Sequence, residues 1–162
     1  MRLGVISDTH DNVPCIERSV EIFNSNNVNA VLHCGDFVAP FALLPFIRLR
    51  HPLYAVFGNN DCDKLGLQKL FEHQNWVLRE RPSFFAFNGK SIAMLHEPEN
   101  LVKITESGQY DLVVYGHTHK KFIEKNGKTT ILNPGEGCGC AGGVATAAII
   151  DLPSGECEFF TL

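Results

Sequence analysis

No stretch of this chain approaches the roughly 18 consecutive apolar residues that a membrane-spanning helix needs. The opening apolar run, Met1-Arg2-Leu3-Gly4-Val5-Ile6, is too short for a secretory signal and has no small-residue cleavage site behind it. No Lys/Arg run exceeds two residues, and 14 basic against 18 acidic side chains give a formal net charge of −4. Neither a dominant nucleic-acid surface nor a membrane partner is expected from that balance. An anionic substrate stays open, because a bound metal inverts the local field. Cys138-Gly139-Cys140 has no second cysteine pair near it, and Cys15, Cys34, Cys62 and Cys157 stand singly. This argues against a disulfide scaffold and a thiolate zinc site, and fits a reducing cytoplasm. No linker or low-complexity tract interrupts the chain, so residues 1–162 read as a single domain.

What is present is an ordinary share of apolar residues, 44%, in short runs. In the first half, strands at 2–6, 30–33 and 52–57 alternate with helical segments at 15–24, from Pro40 onward, and at 64–72. This βαβαβ rhythm predicts a parallel sheet whose strand-end loops share one edge. The second half reads differently. Asn88-Gly89 and Asn126-Gly127 each sit between β-favouring runs (84–87 with 90–95, 121–125 with 128–132) and predict two hairpins. A helix over 97–106, a buried strand over 111–115, a strand over 144–151 and a last strand near 156–161 complete the pattern. The expectation is a mixed α/β fold with two stacked β-sheets and outer helices.

Five polar clusters follow predicted strands. They are Asp8-Thr9-His10, Gly35-Asp36, Gly58-Asn59-Asn60-Asp61, His96, and Gly116-His117-Thr118-His119. Loops beyond the carboxyl ends of strands converge on one crevice, so residues distant in sequence can share a site. The candidate ligands are Asp8, His10, Asp36, Asn59, His96, His117 and His119. Seven mixed oxygen and imidazole donors exceed what one tetrahedral zinc site uses. Asp8, His10, Asp36 and His119 are assigned to one ion, and Asp36, Asn59, His96 and His117 to another, with Asp36 shared. Two ions about 3.5–4 Å apart can hold a bridging hydroxide and clamp both oxygens of an in-line displacement. Two divalent ions, two carboxylates and a hydroxide leave a net charge of about +1, which suits a phosphate oxyanion.

Other readings of the same residues are simpler. Asp8-Thr9-His10 could cap the first helix, and His33, His51 and His73 suit structural or solvent-facing places. Gly35, Gly58 and Gly116 could be ordinary strand-ending turns or close approaches to an ion. Gly137 to Gly142 matches the spacing of a dinucleotide fingerprint, but a β-favouring run follows it instead of a helix, so it reads as a rim loop. His96-Glu97 does not continue into a zinc-protease motif.

Asp8-x-His10, Gly35-Asp36, Gly58-Asn59-x-Asp61, His96 and Gly116-His117-x-His119, in this order, resemble the calcineurin-like metallophosphoesterase superfamily. With Asn133-Pro134-Gly135, the chain is similar to its small phosphodiesterase subgroup, related to the retromer subunit. The resemblance implies a four-layer sandwich of two mixed sheets between helices. It implies a dinuclear centre accepting manganese first, with nickel, iron, cobalt or zinc as alternatives. It also implies hydrolysis of a small phosphodiester and a homodimer or higher homo-oligomer. A non-catalytic or weakly active protein-binding scaffold of the same fold, or a phosphomonoesterase, is the competing expectation. Two departures bear on this. Asn60 stands where larger relatives carry a histidine, which removes general-acid help of typically 10²–10⁴-fold and favours diesters with good leaving groups. Glu136 stands where many relatives have serine, and would repel a dianionic monoester if it faced the crevice rather than solvent. Asp61 is expected to orient its loop or to cap a turn.

Overall fold

The computed structural model describes residues 1–162. Its strands are β1 (Arg2–Ile6), β2 (Ala30–His33), β3 (Leu53–Val56), β4 (Val77–Arg79), β5 (Ser83–Phe87), β6 (Lys90–Met94), β7 (Leu112–Val114), β8 (Lys121–Asn126), β9 (Thr129–Pro134), β10 (Thr146–Asp151) and β11 (Glu156–Thr161). They form a six-stranded sheet ordered β11-β10-β1-β2-β3-β4 and a five-stranded sheet ordered β5-β6-β7-β9-β8. Strands β1 to β4 run parallel, as do β6, β7 and β9, while β10, β11, β5 and β8 are antiparallel to their neighbours.

Period-two alternation explains the layers. Leu3 and Val5 of β1, Leu32 of β2, Val56 of β3, Ile92 and Met94 of β6, Leu112 and Val114 of β7, Leu132 of β9 and Ile150 of β10 meet in one cluster between the sheets. The alternate residues face outward. Ile6, Val31, Leu53, Ala55 and Ile149 pack under the helices that cover the first sheet. Ala93, Val113, Tyr115 and Ile131 pack beneath Leu101 and Ile104 on the second. The result is two mixed sheets flanked by helices, as expected.

Helix α1 (Val13–Ser25) begins where the Asn12 side chain accepts from the Cys15 amide at 3.3 Å, with proline in its first turn. Ile16, Val20 and Phe23 form its buried stripe. Asp8 is therefore not the cap. Helix α2 (Lys64–His73) is capped by Asp63, which accepts from Gly66 at 2.9 Å, so that role does not fall to Asp61.

Three local expectations change. Pro40–Arg48 is a 3₁₀ helix, in which Pro45 supplies no amide donor. Its three-residue turn buries Leu43 and Phe46 but stacks Phe41, Leu44 and Ile47 in one row that is about half exposed or more. The helix expected over 97–106 forms only as α3 (Leu101–Glu106), because Pro98 disfavours helical backbone at Glu97. Strand β4 was not expected: three residues that are half-buried or exposed carry no alternation to read.

Candidate metal centre

The carboxyl ends of β1, β2 and β3 and those of β6 and β7 open on one shared edge, so all five polar clusters lie side by side. The loops are stitched by backbone bonds: Asp8 N–H donates to Gly35 O at 3.0 Å, His10 N–H to Asp36 O at 3.1 Å, and Gly116 N–H to His96 O at 3.1 Å. All seven residues singled out in the sequence contribute to the resulting cluster.

On one side, the fully buried Asp8 carboxylate accepts from the His117 amide at 3.0 and 3.2 Å and lies 3.3 Å from His119 Nε2. Burial raises the Asp8 pKa against the opposing pull of the Ser7 hydroxyl, His96 and His119. Asp8, His10 and His119 offer donor atoms within 4.8 Å of one another. In the middle, Asp36 Oδ2 is 3.6 Å from His10 Nε2 and 3.5 Å from His96 Nε2. Asn60 grips both Asp36 oxygens, through its amide N–H at 2.8 Å and its side-chain Nδ2 at 2.7 Å. Burial pushes the Asp36 pKa up, but His96 and the Asn60 donors outweigh it and hold the carboxyl below its usual range. On the other side, Asn59 Oδ1 lies 2.8 Å from His96 Nε2 and 3.0 Å from His117 Nδ1.

The donor chemistry fits divalent cations. His96 Nδ1 faces the Cys34 carbonyl at 2.8 Å, and a carbonyl only accepts, so Nδ1 carries the proton of the neutral ring. The remaining Nε2 lone pair then faces two oxygens, Asn59 Oδ1 and Asp36 Oδ2, a placement that a cation between them would satisfy. His10 Nε2 is buried without any hydrogen-bond partner. Oxygen and imidazole donors in this mixture suit manganese, iron, nickel, cobalt or zinc. Two overlapping sets of donors around Asp36 match a dinuclear site, one able to polarise a phosphoryl oxygen and stabilise charge as it develops.

Backbone conformation marks the same edge. Asp8 (φ 54°), His10 (39°), Asp36 (59°), His117 (63°) and His119 (58°) all occupy the left-handed region, as do Asp11 (58°) and Val38 (81°). Each such non-glycine residue costs on the order of 1–3 kcal/mol unless surrounding contacts enforce it. Asp61 is the chief enforcer. Its buried carboxylate accepts from the amides of Asp36 (3.1 Å), Phe37 (2.7 Å), Val38 (2.9 Å) and Gly58 (2.6 Å), binding the Asp36 and Asn59 loops into one body. His33, fully buried, accepts at Nδ1 from Gly35 N–H at 3.2 Å and therefore donates from Nε2 to Thr9 Oγ1 at 3.2 Å. Burial drives its pKa well down, so it stays a neutral strut. Gly116 is required for close approach: a Cβ there would collide with Ser7 and lie 2.6 Å from Asp8 Oδ2. Gly35 is required for both conformation (φ 96°) and approach, with a Cβ reaching 2.7 Å from Gly58 Cα.

Two acidic residues near the centre lay outside the sequence assignment. Glu97 offers a carboxylate within 4.8 Å of the His96 and His117 ring nitrogens, while Arg81 Nη2 donates to it at 2.7 Å. Its position right after His96 was its only sequence signal. Glu136 does not face solvent: it is buried at the centre, with Oε2 2.7 Å from His119 Nδ1. Asn133 ties the His117 loop in place by donating to Gly116 O at 2.8 Å. The segment from Gly137 to Gly143 is irregular chain leading into β10, in keeping with a rim loop rather than a dinucleotide fold.

Comparison with known proteins agrees with this geometry. Residues 1–155 match the calcineurin-like phosphoesterase superfamily domain. A phosphodiesterase of Methanocaldococcus jannaschii is 36% identical over 165 aligned residues, covering 96% of each chain. The solved structure of an archaeal phosphodiesterase is similar at a TM-score of 0.94 with 34% identity, covering 100% of both chains. Vacuolar protein sorting 29 of Cryptosporidium parvum shares the fold at a TM-score of 0.67 and 18% identity, covering 99% of this chain and 96% of that one.

Proposed function

This chain belongs to the calcineurin-like phosphoesterase superfamily, and we propose that it is a divalent-metal-dependent phosphodiesterase acting on a small phosphodiester as one domain over residues 1–162. The observation that carries the proposal is the position of Asp36 between His10 of one donor set and His96 of the other, beside a 36% identical phosphodiesterase. Asp8, His10, Asp36 and His119 would hold one cation and Asp36, Asn59, His96 and His117 the other, with manganese the preferred ion. Bound there, such cations supply Lewis-acid charge that draws in and polarises a phosphoryl group.

The chain's own residues set the rest. Asp36 is fixed by Asn60 and so presents its oxygens in one orientation to both donor sets. Asn60 cannot deliver a proton to a departing alkoxide. Esters whose leaving group needs no proton, aryl diesters above all, are therefore the favoured substrates, and monoesters of poor leaving groups the least favoured. A second reading, a non-catalytic scaffold, draws on the fold shared with vacuolar protein sorting 29, but a scaffold has no use for buried, left-handed Asp8 and Asp36. Metal-stripped protein, reloaded in turn with manganese, nickel, iron, cobalt or zinc, is to be assayed on an aryl phosphodiester and the matching monoester. Faster turnover of the diester is expected. No turnover of either ester with any of the five metals sinks the enzymatic reading.

A further inference from the structure

Glu136 is a carboxylate only 1% exposed, and its partners are fully accounted for. The Ala141 amide donates to both its oxygens at 3.1 Å, and the Gly142 amide donates to Oε1 at 2.7 Å. Oε2 lies 2.7 Å from His119 Nδ1. A carboxylate already accepting from two amides accepts from the ring as well, so the proton sits on His119 Nδ1. That leaves the Nε2 lone pair free, directed at Asp8 with 3.3 Å to Oδ1.

No other imidazole of the cluster has such backing. His96 Nδ1 donates to a neutral carbonyl, that of Cys34. His117 turns Nδ1 inward to Asn59 Oδ1, and neither its ring nor that of His10 is hydrogen-bonded to a carboxylate. Glu97 does stand beside His96 and His117, but Arg81 pairs with it and cancels its charge. The Asp8 side thus owns two unshared anions, Asp8 and Glu136, whereas the Asn59 side has only its share of Asp36.

Resting on the dinuclear reading above, we propose that Glu136 is a positioning residue: it locks His119 with Nε2 free and makes the Asp8–His10–His119 position the tighter of the two. The two cations then bind in sequence, with the Glu136-backed position filling first. A carboxylate behind a metal-binding histidine fixes the ring and raises its basicity, and its loss typically costs about 10–100-fold in metal affinity. The same carboxylate pins residues 141 and 142, so loop order and cation affinity share one anchor.

Glu136→Gln is the informative variant. Its amide oxygen can keep the loop bonds, but its NH₂ donates to His119 Nδ1 and drives the ring proton to Nε2. The experiment titrates the full, metal-stripped chain with Mn²⁺ alone by calorimetry and reads the His119 tautomer by ¹⁵N NMR on the metal-free protein. Wild type should bind two equivalents in two resolved steps, with the Nδ1–H tautomer. In Glu136→Gln the tighter step should weaken about 10–100-fold, the weaker step should hold, and the tautomer should switch. Glu136→Asp, which keeps the charge, should recover the Nδ1–H form and part of the affinity, separating this role from loop support. Unchanged steps and an unchanged tautomer in Glu136→Gln overturn the proposal while leaving the dinuclear reading intact. One equivalent or none in wild type overturns that reading, and this proposal with it.

Discussion

The two ends of the sheets place left-handed backbone on different residues. At the end away from the metal centre, positive φ falls on Asn27, Asn75 and Asn88 and on Gly89, Gly108, Gly127 and Gly155. These residue types adopt that conformation at little cost, and they make the turns that lead into β2, β4, β6, β7 and β9 or join β10 to β11. At the other end it falls on Gly35 and Gly135 but also on Asp8, His10, Asp11, Asp36, Val38, His117 and His119, of which the β-branched Val38 resists it most. One edge is built for easy turning and the other for aiming side chains. Strain concentrated where donor atoms converge is what a working site leaves in a backbone.

The sharpest way to break this contrast is Asp36→Asn, which removes the carboxylate proposed to be shared. Several kcal/mol of charge stabilisation would go with it, so diester turnover should fall roughly 10³-fold. Near-normal turnover would show that Asp36 does not link the two donor sets. Next is Asp61→Ala, which strips the acceptor from four amides; urea unfolding should report a loss of about 3 kcal/mol. A loss within error would mean that the left-handed Asp36 loop holds itself. On the far edge, Gly127→Ala should cost about 1–2 kcal/mol with diester turnover unchanged, since a Cβ there meets nothing and only the φ of 60° resists it. Val38→Gly should do the reverse at the site edge, raising unfolding stability by about 1 kcal/mol as strain at φ 81° is relieved.

The smallest effect concerns Asp111, also away from the centre. The Ser91 amide, and then Lys90 at 3.0 Å, hold its carboxyl below the usual carboxylate range. A pKa lower in the folded than in the unfolded state gives stability that is present above pH 4 and is lost as the pH falls below it. Asp111→Asn should therefore lower the urea midpoint near neutrality by an amount worth about 0.5 kcal/mol, and the difference should vanish near pH 2. A difference that persists into acid would point to packing instead of charge.

The gathering of Asp8, His10, Asp36, Asn59, His96, His117 and His119 on one edge could be read in the sequence because such side chains are unusual after apolar runs, and because strand-end loops of parallel sheets meet. The sheets themselves were legible through alternation such as Leu3-Val5 against Ile6, and through the two Asn-Gly turns. What escaped was governed by contacts between distant segments. Glu136 looks like a surface charge until His119, 17 residues away, is placed beside it. Asp61 looks like a helix cap until the Asp36 loop folds over it. The 3₁₀ winding of residues 40–48 depends on one missing amide donor in an otherwise helical composition, and β4 is too short to show a period.

Strand β1 has β2 on one side, where residues 3–6 register with 30–33, and β10 on the other, where residues 2–5 register with 151–148. Its second neighbour is thus about 145 positions further along. On the ribosome, the first sheet must wait with one flank of β1 bare until residues 146–151 emerge. A bare flank is an open template for any extended peptide nearby. Ribosome-bound nascent chains ending before Thr146 should therefore be the form of this protein most dependent on chaperones, however stable the finished molecule is.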